Sequence, residues 1–243
     1  MSDDRYRYSF ETVAEQYERA RPLYADAAVA WVAERLGIGP GVPVLDLAAG
    51  TGKLTRQLAA LGADVVAVEP GDEMRGVLER VVPQARALAG VAEAIPLADG
   101  AVHAVTVGQA FHWFDQPVAL REIHRVLRPG GGVALLWNVW DENDPLLAAI
   151  DGLLLPLRPP AAREADWREG WNLELFGPLE QRSFFQRRRM GAGALVEWAG
   201  STSGVVNAPR EEQERIEREI RRLAVGHDGV VSVGTEAFVA RRR

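Results

Sequence analysis

An α/β fold, in which a mostly parallel sheet is covered by helices on both faces, is predicted by three observations. Short β-rich runs alternate with helix-period segments through the first 140 residues, the rhythm of successive βαβ units. Gly/Pro breakers punctuate that rhythm, as at Pro129-Gly130-Gly131-Gly132. And the stretch VLDLAAGTGKLTRQL, from Val44 to Leu58, reads as a buried strand running directly into a glycine turn and then a helix.

Taken in order, a helical segment begins the chain at Phe10 and runs to Leu36, interrupted at Arg21-Pro22 because proline disfavours helix for the residue before it. It is expected to cover the open end of the sheet. Strands follow at about 42–48, 64–68, 87–91, 102–108 and 132–137, with helices at about 54–61, 72–82 and 118–127. After Asn138 the alternation weakens. An apolar helix is expected over 145–157, then Arg158-Pro159-Pro160 and a stretch carrying Trp167 and Trp171, together the best place for a substrate-side insertion. The tail offers a strand at 179–187, helices at 192–199 and from Pro209 onward, and a last strand at 231–240. These two late strands lack an intervening βαβ rhythm compatible with simple extension of the sheet and read as an antiparallel pair closing its edge, which brings the count to seven strands in a doubly wound sheet. At 243 residues and 47% hydrophobic, the chain is expected to form one domain over 1–243, divided into 1–40, 41–138, 139–178 and 179–243.

Composition removes several chemistries. Cysteine is absent, which excludes disulfides, thiolate zinc sites and a cysteine nucleophile. A net charge of −6 repels phosphate backbones, so neither nucleic acid nor an anionic membrane is an expected partner. With a polar N-terminus and no long apolar run, a cytoplasmic protein is expected. Asp141, Glu142 and Asp144 lack histidine or cysteine partners at ligand spacing, so no metal is assigned. Arg187 to Arg189 and Arg241 to Arg243 read as a solvated strand edge and a chain terminus.

The chemistry is expected at the glycine turn. In open α/β sheets ligands settle at the carboxyl ends of strands, where glycine permits close backbone approach and helix N-termini present free N–H groups. Gly50-Thr51-Gly52 sits at such an end, and Glu69 closes the second strand 19 residues later, placed to accept both hydroxyls of a ribose. Together they predict an adenosine-type cofactor. A nucleoside triphosphate loop fails at both ends of its motif, since Leu47 stands where its first glycine belongs and Leu54 follows Lys53. A nicotinamide dinucleotide site is weakened by Thr55 where the third glycine should stand.

The same residues resemble the class I S-adenosylmethionine-dependent methyltransferases. Val44 to Gly52 is similar to their first motif and Glu69 to their ribose-binding acid. The stretch 90–97, GVAEAIPL, resembles the segment beside adenine; 109–115, QAFHWFD, the fourth-strand motif; and 121–131, REIHRVLRPGG, the helix and turn before the fifth strand. The resemblance implies a Rossmann-like sheet and S-adenosylmethionine as cofactor, held by Asp46, Ala48, Gly50, Thr51, Gly52, Glu69, Pro70, Ala92, Glu93 and Gln109. Two departures stand out. Ala48 and Ala49 replace a common glycine-cysteine pair, and Val91 replaces an aspartate that bonds adenine in many relatives.

The segment from Phe10 to Pro22 is similar to the N-terminal lid of the trans-aconitate methyltransferase-like subgroup, which implies that Tyr17 and Arg21 close over the cofactor's methionine end. His112 follows the fourth strand and is either the base for the acceptor or, with Trp113 and Phe114, a wall of its pocket. The expected reaction is methyl transfer to a small-molecule acceptor. A nicotinamide-dependent oxidoreductase and a cofactor-binding module without turnover are the alternatives.

Overall fold

A computed structural model describes residues 14–158 and 167–243. Residues 10–13 of the expected N-terminal helix, and Pro159 and Pro160, lie outside the described residues. The chain divides into two compact units. Among the described residues, one comprises 23–137, 167–184 and 235–243; the other 14–22, 138–158 and 185–234.

The strands are β1 (Pro43–Leu47), β2 (Asp64–Val68), β3 (Arg86–Leu88), β4 (Val102–Gly108), β5 (Leu127–Trp140), β6 (Glu180–Arg189) and β7 (Val230–Arg241). The described helices are α1 (Ala14–Ala20), α2 (Asp26–Leu36), α3 (Lys53–Ala60), α4 (Asp72–Val81), α5 (Gln116–Val126), α6 (Pro145–Leu154), α7 (Ala192–Gly200), α8 (Ser203–Val206) and α9 (Arg210–Leu223). They form one seven-stranded sheet of order β3-β2-β1-β4-β5-β7-β6. β3, β2, β1, β4 and β5 pair in parallel, and the pairing turns antiparallel at the other end of the sheet. The edge strand there is β6. The last strand of the chain inserts one place in, beside β5, where 8 of its 12 residues are buried.

The first unit shows why its strands read as continuous apolar runs: both faces are covered. Leu45, Leu47, Val105, Val107, Val133 and Leu135 face one cluster, closed by Leu120, Ile123 and Val126 of α5. Val44, Ala104, Ala134 and Leu136 face the other, closed by Val29, Val32 and Leu36 of α2 and by Leu54 and Leu58 of α3. The period-2 alternation therefore sorts residues between two helical layers rather than between core and water.

The boundaries depart from expectation at β3 and β5. β3 is shorter than 87–91, because Val91 leaves the sheet to bridge Ala94. β5 begins at Leu127 rather than 132, because Val102 pairs with Leu127 while Ala104 pairs with Gly132. The residues between bulge out of the ladder, and the glycines there accommodate close backbone: a Cβ on Gly131 would overlap the His103 carbonyl oxygen, and one on Gly132 that of Ala240. The terminal arginines are structural. Arg241 Nη1 donates to Gly130 O at 3.1 Å and Arg242 Nε to His124 O at 3.1 Å.

The second unit has its own core, in which α6, α7 and α9 contribute Leu147, Ile150, Leu195, Trp198, Ile216 and Ile220. Trp140 stacks on Trp198 with ring centroids 3.9 Å apart. The acidic cluster resolves into local capping: Asp144 Oδ1 accepts from Leu146 N and Leu147 N at the start of α6, and its Oδ2 accepts from Ser232 N at 2.9 Å. Among the described residues no group of histidines or acids could hold a metal ion, and no helix is long and apolar enough to cross a membrane.

Candidate active site

The chemistry-bearing residues gather at the carboxyl ends of β1, β2 and β4. Of the seven buried polar or charged residues among those described, five lie there: Asp46, Thr51, Thr55, Glu69 and Thr106. Buried polar groups are tolerated only with partners. Asp46 is partnered by Thr55 and Thr106, and Glu69 by the loop backbone.

β1 delivers the loop. After Leu47 the chain turns through Ala48 (φ 55°), Gly50 (φ 57°) and Gly52 (φ 85°), all left-handed, and α3 starts at Lys53. The glycines serve different purposes. A Cβ on Gly52 would stand 3.0 Å from Leu78 Cγ and 3.1 Å from Val82 Cγ2, so this glycine lets α3 approach α4. A Cβ on Gly50 would meet nothing within 4 Å, so that position faces open space. Such a cradle, with backbone bared and room above it, fits the adenosyl donor that the motif implies.

β2 delivers Glu69. Its Oε2 accepts from Gly50 N at 2.8 Å and its Oε1 from Gly71 N at 3.0 Å, so one carboxylate spans the first and second loops. Glu69 is 8% exposed. Pro70 follows it, half-buried, and its carbonyl lies 3.5 Å from Arg75 Nη1, which also donates to Glu69 O at 3.1 Å.

Asp46 lies beneath the loop at 1% exposure. Its Oδ2 accepts from Thr55 Oγ1 at 2.6 Å and its Oδ1 from Thr106 Oγ1 at 3.0 Å. Burial raises its pKa from 3.8 to about 6, against the hydrogen bonds from Thr55 and Thr106, which lower it. Neither threonine was picked out by the motifs. Thr55 entered only as the residue breaking a dinucleotide pattern, and Thr106 gave no signal beyond a hydroxyl inside an apolar strand.

Beyond β3, Ala92 is buried and Glu93 Oε1 accepts from Asp115 N at 2.9 Å, tying this segment to the start of α5. At the tip of β4, Gln109 adopts φ 61° while its N donates to Leu136 O at 2.9 Å. Ala48 and Gln109 are the two non-glycine residues with positive φ among those described, and they end adjacent strands. Strained backbone of this kind clusters at ligand sites, where the surrounding structure over-determines it.

His112 follows in a single turn of 3₁₀ helix, Phe111–Trp113. Its Nδ1 accepts from Trp137 Nε1 at 3.5 Å, and burial lowers its pKa from 6.5 to about 4. The ring is neutral at pH 7. Trp137 stacks on Trp167 at 4.8 Å, and Phe238 meets both edge-on at 5.6 and 5.0 Å. Trp171 Nε1 donates to Gly177 O at 3.1 Å. Tyr17 and Arg21 belong to the second unit, where the Arg21 guanidinium lies 5.4 Å from the Tyr17 ring centroid and Nη2 donates to Ser201 O at 3.0 Å.

A glycine loop ending β1, a carboxylate ending β2 and this strand order define an α/β protein built for a nucleoside-containing cofactor. The chain belongs to the class I S-adenosylmethionine-dependent methyltransferases, and is an enzyme of that class. Residues 45–135 match the methyltransferase domain family. The chain is 37% identical over 226 residues to an uncharacterised methyltransferase of Mycobacterium tuberculosis, covering 92% of this chain and 88% of that one. It is 34% identical over 219 residues to a methyltransferase-like protein of Schizosaccharomyces pombe, covering 89% and 86%. A solved structure from Anaeromyxobacter dehalogenans, described as a type II methyltransferase, superposes with a TM-score of 0.68 at 24% identity, over 92% of this chain and 97% of that one, and shares the fold. Membership of this family sets aside the oxidoreductase and the module without turnover. The family implies S-adenosylmethionine as the methyl donor.

Proposed function

We propose that the enzyme methylates a small-molecule acceptor, with the donor held by the loop 48–52 and its ribose on Glu69. The observation that supports this reading most is the pairing of Glu69 with Gly50: a carboxylate bonded to the loop backbone, beside a glycine whose missing side chain leaves open space. Hydrogen bonds from Gly50 N and Gly71 N orient this carboxylate, an acceptor group of the kind a ribose diol requires. Thr51 and Gly52 complete the loop, with Pro70, Ala92, Glu93 and Gln109 as its flanks. Bound there, S-adenosylmethionine supplies a methyl group on a sulfonium, an electrophile that needs no further activation.

The chain's contribution is position. Holding an acceptor in line behind the carbon–sulfur bond, with water excluded, supplies the rate enhancement. His112, neutral and bonded to Trp137, is assigned to the acceptor wall; a group of pKa about 4 is a weak proton acceptor at neutral pH. The reaction then suits acceptors that are already ionised or nucleophilic at pH 7. A place in the trans-aconitate methyltransferase-like subgroup rests on the sequence of the N-terminal segment alone.

Calorimetry with S-adenosylmethionine tests the donor site. The wild type is expected to bind saturably and Glu69→Ala to lose at least about tenfold in affinity, as when a charged acceptor leaves a buried hydrogen-bond network. Equal affinities would sink the ribose assignment, and no binding by either would sink the whole reading.

A further inference from the structure

The register of the sheet sets Asp46 directly opposite Thr106, since β1 and β4 pair Asp46 with Thr106. Both side chains therefore leave the same face of the sheet. Thr55 reaches the same carboxylate from α3 through its hydroxyl and its backbone N–H. Asp46 thus joins three elements: the strand before the loop, the helix after it, and the neighbouring strand. Ala48, two residues beyond Asp46, and Gln109, three beyond Thr106, are the two strained positions above this junction. The loop is pinned at both ends by one carboxylate.

We propose that Thr55 and Thr106 are positioning residues for the cofactor: their hydroxyls hold the Asp46 carboxylate ionised and oriented beneath residues 48–52, and thereby keep the loop in the turn that admits the adenosyl donor. The inference rests on the donor site proposed above and adds two residues and a pH dependence to it. The charge acting on Asp46 is the Glu69 carboxylate at the end of β2, which opposes ionisation, while β4 and α3 present threonine hydroxyls that favour it. Removing a hydroxyl leaves a buried carboxylate short of a donor. Asp46 then takes up a proton at higher pH, and the loop loses its anchor.

The test is calorimetric titration of S-adenosylhomocysteine into wild type, Thr106→Val and Thr106→Ser between pH 5.5 and 8.5. Wild-type affinity is expected to fall as pH drops through about 6, the pKa of Asp46. Thr106→Val is expected to bind about tenfold more weakly at pH 7.5, with the midpoint of that fall raised by about one pH unit, and Thr106→Ser to bind within about threefold of wild type. A purely structural role would lower the melting temperature without moving the midpoint. Matching affinity and midpoint in Thr106→Val and wild type overturn the inference, as does a Thr106→Ser as weak as the valine. Should Thr106→Val fail to fold, Thr55→Val and Thr55→Ser make the same comparison from the helix side. A wild type that binds no S-adenosylhomocysteine at any pH removes the donor site, and the inference with it.

Discussion

Ala48 illustrates how a single residue carries both the fold and the site. Its φ of 55° lies where an L side chain crowds the following carbonyl, at a cost of about 1–2 kcal/mol, and glycine would adopt it freely. Alanine in place of the glycine common at this position in the family exchanges one small residue for another. The backbone shows it to be an exchange of conformational freedom as well. Ala48→Gly is expected to stabilise the protein by about 0.5–1 kcal/mol, after the larger unfolded-state entropy of glycine is subtracted, and to raise its melting temperature by a few degrees. A melting temperature at or below that of the wild type would show that the surrounding loop relaxes around alanine. Gln109 is strained in the same way at the neighbouring strand tip.

At the scale of the element, the loop between β1 and α3 separates function from folding in two glycines one residue apart. Gly52→Ala combines a positive φ with contacts to Leu78 and Val82 at 3.0 and 3.1 Å, so it is expected to lower stability by about 2 kcal/mol or more. Gly50→Ala meets no neighbour within 4 Å and is expected to cost about 1–2 kcal/mol of backbone strain alone. Its methyl group nevertheless occupies the space assigned to the donor. Thermal melts and S-adenosylmethionine titrations on both variants should therefore order oppositely: Gly52→Ala less stable, Gly50→Ala the weaker binder per kcal/mol of stability lost. Equal binding by Gly50→Ala and wild type would move the donor away from this loop.

For the molecule as a whole, two titrating groups shifted by desolvation, the buried Asp46 and the half-buried His112, oppose each other. Asp46 has a folded pKa raised from 3.8 to about 6, so its contribution to stability is fully present below about 4 and lost as pH rises through 6, leaving the ionised group costing about 3 kcal/mol at pH 7. His112 has a folded pKa lowered from 6.5 to about 4, so its contribution is full above 6.5 and lost as pH falls toward 4, by about 3 kcal/mol. Over the interval they share the two nearly cancel, and single variants expose them. Asp46→Asn is expected to be more stable than wild type at pH 7.5 with the advantage gone at pH 4, while binding cofactor poorly. His112→Asn is expected to lose less stability than wild type between pH 6.5 and 4. Urea denaturation at the two pH values measures both, and parallel behaviour of variant and wild type would refute the burial of the group concerned.

The sequence by itself determined the alternation of strands and helices, the glycine turn after β1 and the acid after β2, because these follow from local periodicity and from residue types that have few other uses. β2 and β4 fall where the apolar runs alone placed them, and so do the starts of α4, α6 and α7. What only the tertiary structure decided depends on strand register and on non-local pairing. The last strand slips in between β5 and β6, the tryptophans divide among three clusters, and Thr55 and Thr106 meet across Asp46. A threonine in an apolar strand looks the same whether its hydroxyl faces a carbonyl or a carboxylate. Its partner comes from an element 60 residues away, and only the folded sheet brings the two within 3.0 Å.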